Sequence, residues 1–252
     1  MKKVFLTSLA IIVSLSTGSM VAMAKTNDVT TQQVGTLSEE DQKATDEKIK
    51  ITQDYINNKI KTRSYGQRNV RYFPYARQEQ SNWCGPATAY NAIKGVISSS
   101  QVSQYDLYKS LGTGDPGMGG TPFPGAWKGT MRAYLGSGNN YEALMGSNYS
   151  SSDWQDKVKN SVIYTVDKGY AVIGDTKQSP YGTKLHPNYN YIDDRGSGGA
   201  STYHYIAITG YDDTNGGNCD IFYSDPHQDF NGRYWTKLSN LSTVTKPLGI
   251  LW

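Results

Sequence analysis

The chain has 252 residues, 25 of them basic and 22 acidic, for a formal charge of +3. Two of the basic residues, Lys2 and Lys3, lie in the first 24 residues, so the remainder carries +1. A balance this close to neutral excludes nucleic acid as the main partner, because binding to a polyanion rests on a basic surface.

Met1-Lys2-Lys3, an apolar run from Val4 to Leu15, and Ala22-Met23-Ala24 before Lys25 read as a secretory signal peptide over residues 1–24. The run is too short and wrongly flanked for a membrane anchor. The mature protein is therefore expected to be secreted, extracellular or cell-wall associated, with no stable membrane insertion. Residues 25–66 are polar and charged and hold no cysteine or tryptophan. Ser38 is placed to cap a helix against Asp41, and Ile49, Ile56 and Ile60 form one stripe along it. The segment is too short to bury a core of its own, so it reads as a helical pro-segment or a spacer before a domain at 67–252.

Next comes Arg77-Gln78-Glu79-Gln80-Ser81-Asn82-Trp83-Cys84-Gly85-Pro86-Ala87. Residues 84–97 read as a helix, with Pro86 in the first turn and Ala89, Ile93, Val96 and Ile97 at helical spacing. Cys84 then stands at the helix tip, where unpaired N–H groups and the helix dipole favour a thiolate, the form of cysteine that attacks a carbonyl carbon. Gln78, six residues earlier, and Gln80 are both available to support such chemistry.

Further helices are predicted over Ser103–Leu111, with Ser103 capping against Asp106, around Trp127, Met131 and Leu135, and along Trp154, Val158, Val162 and Val166 to a stop at Gly169. Strands are expected at Tyr170–Gly174, Tyr203–Gly210, Asp220–Pro226, Gly232–Thr236 and Leu248–Trp252. Helices first and strands later is α+β order. His204 heads the second of these strands, and a thiol catalyst needs a histidine to take its proton and return it to the leaving group. Asp212 to Gly217 is turn chemistry. A hairpin centred between Thr214 and Asn215 sets Asp225 directly opposite His204, within reach to orient its ring.

Gln78, Cys84-Gly85-Pro86-Ala87, His204 with Ile206-Ala207-Ile208-Thr209-Gly210-Tyr211-Asp212, and Ser224-Asp225-Pro226 together resemble the double-glycine-peptidase-like branch of the papain-type cysteine peptidases, here as a secreted stand-alone form. The resemblance implies a papain-like fold in which a helical layer carrying the cysteine packs on an antiparallel sheet carrying the histidine and aspartate. It implies Cys84 as nucleophile, His204 as general base and acid, Asp225 as the residue orienting His204, and Gln78 as oxyanion-hole donor beside the Cys84 N–H. Trp83 departs from the small or acidic residue that many relatives carry before the cysteine.

The expected activity is hydrolysis of peptide bonds in a peptide or protein substrate. Two alternatives stand beside it. One is a cell-wall amidase or endopeptidase acting on cell-wall peptides, since CHAP and NlpC enzymes also place a cysteine at a helix start. The other is a silent binding module using its 20 tyrosines as a stacking surface. Cys84 also admits a disulfide with Cys219, which export permits, although Cys219 reads better as a small buried hydrophobe. His186 and His227 fall in loop-like sequence and are expected to face solvent. Gly112 to Gly117 matches a dinucleotide fingerprint only in letters, because it contains Pro116 and opens no helix. Asp213-Thr214-Asn215 lacks the glutamate of a calcium loop. With no His-Glu-x-x-His and no Cys-x-x-Cys, neither a metal nor a cofactor is indicated.

Overall fold

The computed structural model describes residues 34–62, 66–115, 119–179, 181–187, 189, 201–215, 218–229 and 232–252. The signal peptide read over 1–24 lies outside them, as does the rest of the segment before residue 34.

The fold is built on one long strand, β4 (Thr202–Asn215). Its side chains alternate, with Ile206 and Ile208 in one core cluster and Tyr205 and Ala207 in another. The neighbouring strand β3 (Val172–Gln178) does the same with Val172 and Ile173. Strands that are apolar on both faces require cover on both. Helices α2 (Cys84–Val96), α3 (Gln104–Ser110) and α4 (Trp127–Leu135) cover one face, and α5 (Ser151–Asp167) and α6 (Leu238–Thr245) cover the other. The molecule is α+β, with a helical layer carrying Cys84 on one face of the sheet, as expected, and a second helical layer on the other.

The sheet runs β2 (Ala143–Leu144), β7 (Gly249–Leu251), β3, β4, β5 (Asn218–Asp225), β6 (Gly232–Lys237), with antiparallel pairing throughout. A short strand, β1 (Arg68–Val70), pairs with the distal half of β4. The β4–β5 hairpin is longer than the sequence suggested. Asn215 pairs with Asn218, and a bulge interrupts the ladder between Ile208 and Gly210; residues 216–217, where the expected turn ends, lie outside the described residues. Ala207 faces Ser224. Continuing that register, Asp225 is level with Ile206 and diagonal to His204 instead of opposite it. Same-face diagonal neighbours lie about 7–8 Å apart at the backbone, still within reach of long side chains.

Helix α2 is held tightly at both ends. A β-carbon on Gly95 would fall 2.0 Å from the Phe73 ring, and one on Gly85 would fall 2.1 Å from the Thr121 hydroxyl. Glycine at these positions lets Phe73 and Thr121 lie directly on the helix.

Helix α1 (Glu39–Lys61) begins at Ser38, whose hydroxyl accepts from the Asp41 N–H, as the sequence indicates. Its buried face is Thr45, Lys48, Thr52, Ile56 and Lys59, whereas Ile60 of the expected isoleucine stripe is 53% exposed. Docking is thus largely polar. Lys48 Nζ donates to the carbonyls of Asn139 (2.8 Å) and Asn140 (2.9 Å) and to that of Trp252, and burial pushes its pKa down to about 6. Lys59 pairs with Asp167 at 2.5 Å, and Asn69, Tyr55 and Tyr211 also donate to that carboxylate. Burial would raise the Asp167 pKa, but these donors outweigh it and hold the value below the ordinary one. Removing one member of a buried pair strands the other. Lys59→Met should therefore cost about 3 kcal/mol in urea unfolding, near the low end for such pairs because Asn69 and the tyrosines still donate. Since the folded pKa of Asp167 is depressed, this stabilisation is present above pH about 3.8 and is lost as the pH falls below it.

Candidate active site

Cys84 is the first residue of α2, and Trp83 before it supplies no side-chain cap. The first turn contains no acidic residue. The partial positive charge of this helix end therefore acts on the thiol without a competing carboxylate. Trp83 is fixed by stacking on Tyr108 (5.0 Å between centroids), and Asn82 by donating to the carbonyls of Gly114 (2.8 Å) and Gly119 (2.7 Å).

His204 stands near the start of β4, where its carbonyl accepts from Thr176 Oγ1 at 2.6 Å. Its Nε2 lies 2.8 Å from Asp225 Oδ1 at the end of β5, and both residues are buried. Cys84 also acts on the imidazole electrostatically. Burial by itself would lower the imidazole pKa. The Asp225 carboxylate, its hydrogen bond and Cys84 overcome that and push it up to about 10. Asp225 is fully enclosed, and burial would raise its pKa, yet its donors hold it below the ordinary carboxylate range. Oδ1 accepts from His204 and from the His227 N–H (2.9 Å), and Oδ2 accepts from the Tyr189 hydroxyl (2.5 Å). This is a buried charge with its lone pairs satisfied, the condition under which a carboxylate stays ionised away from water.

The model for the Peptidase_C39 like family matches residues 70–246, a span that includes Cys84, His204 and Asp225. The chain belongs to the Peptidase_C39 like family. Membership supports peptidase activity of the cysteine type on a peptide or protein substrate. No match is found among curated proteins.

In this Peptidase_C39 like chain both cysteines are free thiols, so the disulfide alternative is not realised. Cys219 is buried, and burial pushes its thiol up to about 12. Gln78 is buried, while Gln80 is exposed on the turn before Trp83. The Gln78 N–H donates to the Pro226 carbonyl at 2.8 Å, which ties it to the residue following Asp225. Its Nε2 donates to the carbonyls of Gln80 (2.9 Å) and Ser81 (2.8 Å), and its buried Oε1 has no partner. Both amide hydrogens are thus occupied in this conformation.

His227, expected to face solvent, is only partly exposed. Its ring lies 5.7 Å from that of His204 and 6.2 Å from that of Tyr189, and its backbone anchors Asp225. His186 is also partly covered, against Tyr234 at 4.5 Å. Tyr189 and Tyr75, which donates to the Asp225 carbonyl at 2.6 Å, complete the surroundings. His227 was open to suspicion from its place two residues after Asp225. Nothing local marks Tyr189, which comes from a loop far from either motif in sequence. Among the described residues no helix is long and apolar enough to cross a membrane.

Proposed function

We propose that the chain is a secreted cysteine peptidase of papain-like fold, its catalytic domain spanning 67–252. It hydrolyses peptide bonds through Cys84, His204 and Asp225, with Gln78 as oxyanion donor. The observation that carries this reading is a buried His204–Asp225 pair whose imidazole interacts electrostatically with a cysteine at an uncapped helix start. His204 takes the thiol proton from Cys84, and its raised pKa favours the imidazolium that results. The thiolate attacks the scissile carbonyl carbon. His204 then gives its proton to the leaving amine, and the acyl-enzyme forms. Water hydrolyses the thioester with His204 as base, returning the thiol. Asp225 holds the ring in orientation throughout. For Gln78 to meet the oxyanion, one amide hydrogen must leave Gln80 or Ser81 as the substrate enters. Catalytic hydrogen bonds commonly tighten only in the complex.

The test begins with the thiol. Limiting iodoacetamide should label Cys84 in preference to Cys219, whose burial and raised pKa protect it. The mature protein should also cleave members of a diverse peptide mixture. Labelling of Cys219 instead would remove the mechanism. Release of fragments only from purified cell walls would redirect the activity to cell-wall cross-links. The same chemistry is compatible with export, and a mature N-terminus at Lys25 in culture supernatant would bear that out.

A further inference from the structure

Residues 71–80 cross the helical face that carries Cys84 with no helix or strand of their own. A segment of this kind, buried only at Phe73 and Gln78, must find partners for its backbone outside a ladder. Here side-chain amides supply them. The Ala76 N–H donates to Asn91 Oδ1 at 2.7 Å, and the Ala76 carbonyl accepts from Asn91 Nδ2 at 3.0 Å. Gln104 repeats the arrangement a step further on, its Nε2 donating to the Arg77 carbonyl at 2.7 Å and its Oε1 accepting from the Glu79 N–H at 3.0 Å. A primary amide carries a donor and an acceptor side by side, so each of these side chains substitutes for a neighbouring strand. Asn91 and Gln104 are 1% and 2% exposed.

The residue that Gln104 brackets is Gln78. Its N–H is fixed to the Pro226 carbonyl, and its own carbonyl accepts from Gln228 at 3.3 Å. Asn91 belongs to the helix that starts with Cys84, so the two amides tie the Gln78 backbone to the nucleophile from one side while Pro226 ties it to the Asp225 strand end from the other. Gln78 must swing its side chain from the Gln80 and Ser81 carbonyls toward a developing oxyanion. That movement is productive only about a fixed backbone, because an oxyanion donor acts through its placement before the reaction.

We infer that Gln104 is a positioning residue for the oxyanion hole, holding the backbone on both sides of Gln78 in register with Cys84. The inference rests on the proposed cysteine-peptidase reading. Gln104 touches no reacting atom, and its effect passes through Gln78.

The experiment is a double-mutant cycle on the full mature chain, using a peptide that the wild type cleaves and Cys84→Ala does not. Gln104→Met keeps the side-chain volume and removes both hydrogen bonds. It should lower kcat by about 10- to 100-fold with KM little changed, the effect of displacing a catalytic group slightly. In a Gln78→Ala background the same replacement should have little further effect. The rate at which iodoacetamide alkylates Cys84 should stay at the wild-type value in both. Equal losses with and without Gln78, or alkylation slowed in parallel with turnover, would overturn the inference, since the defect would then not run through the oxyanion donor. If Gln104→Met does not fold, Gln104→Glu, which keeps the acceptor for Glu79, replaces it in the cycle. Failure of both to fold would make Gln104 a core residue and end the inference. Hydrolysis that survives in Cys84→Ala would instead overturn the peptidase reading itself, and would be seen before any Gln104 variant was made.

Discussion

Cys84→Ala and His204→Ala should each remove turnover almost completely, by at least about 10⁴-fold, and the double variant should be no worse than either. Nucleophile and base act as one unit, so removing the second member of a broken pair takes nothing more. The fold should survive the first change, because Cys84 is only partly buried and its side chain is replaced by a smaller one at a helix start. The second is harsher, since it leaves the Asp225 carboxylate enclosed without its imidazolium. Measured kcat/KM together with circular dichroism separates the two effects. Turnover in Cys84→Ala within a factor of about ten of wild type would exclude thiol catalysis.

The Asp225 series should give the next largest effect and a diagnostic pH dependence. Asp225→Asn retains an oxygen that can accept from the His204 ring and should keep measurable activity. Asp225→Ala should do worse. In the wild type the alkaline limb of kcat/KM should lie near pH 10, where His204 loses its proton. In Asp225→Asn the attraction is gone while the burial remains, so the limb should move down to or below the ordinary imidazole value of about 6.5. Stability follows the same sign. The folded pKa of His204 is raised, so its contribution is complete below about pH 6.5 and is lost as the pH rises through about 10. Asp225, with its pKa depressed, contributes above about pH 3.8 and loses its contribution as the pH falls below that. The stability gap between wild type and Asp225→Asn should therefore be widest between these limits. A limb unmoved by Asp225→Asn would mean that another group controls His204.

Much of this site was legible in the chain because it rests on local signals. The helix start at Cys84, the Ser103 cap and the strand carrying His204 are each written in a few consecutive residues. The His204–Asp225 partnership was reached through an incorrect register. Parity is what rescued it, since an error of two residues leaves a strand's side chains on the same face. The bulge between Ile208 and Gly210 has only the strand glycine itself as a local signal. Tyr189, Asn91 and Gln104 were not legible because each acts over a long sequence distance, on a group that only the fold brings near. For α1 the isoleucine stripe held at Ile49 and Ile56, which pack on the core, and failed at Ile60. Spacing identifies a stripe, but Lys48 and Lys59 show that lysines occupy the docking face when carbonyls and a carboxylate wait on the other side.

The glycine at 85 has a consequence for how the Cys-Gly-Pro-Ala string is read in other chains. Gly85 is required by the Thr121 side chain lying on the helix, and Ala87 is fully enclosed in the core. Pro86 is buried in the first turn, where a missing N–H costs nothing. These letters are set by steric fit, and the sulfur atom of the first letter alone reports the chemistry. A descendant that had exchanged Cys84 for serine or alanine would feel the same packing and would keep Gly-Pro-Ala. Such a chain would still look like an enzyme to any comparison that scores the whole string, so an inactive paralogue is told apart by one atom.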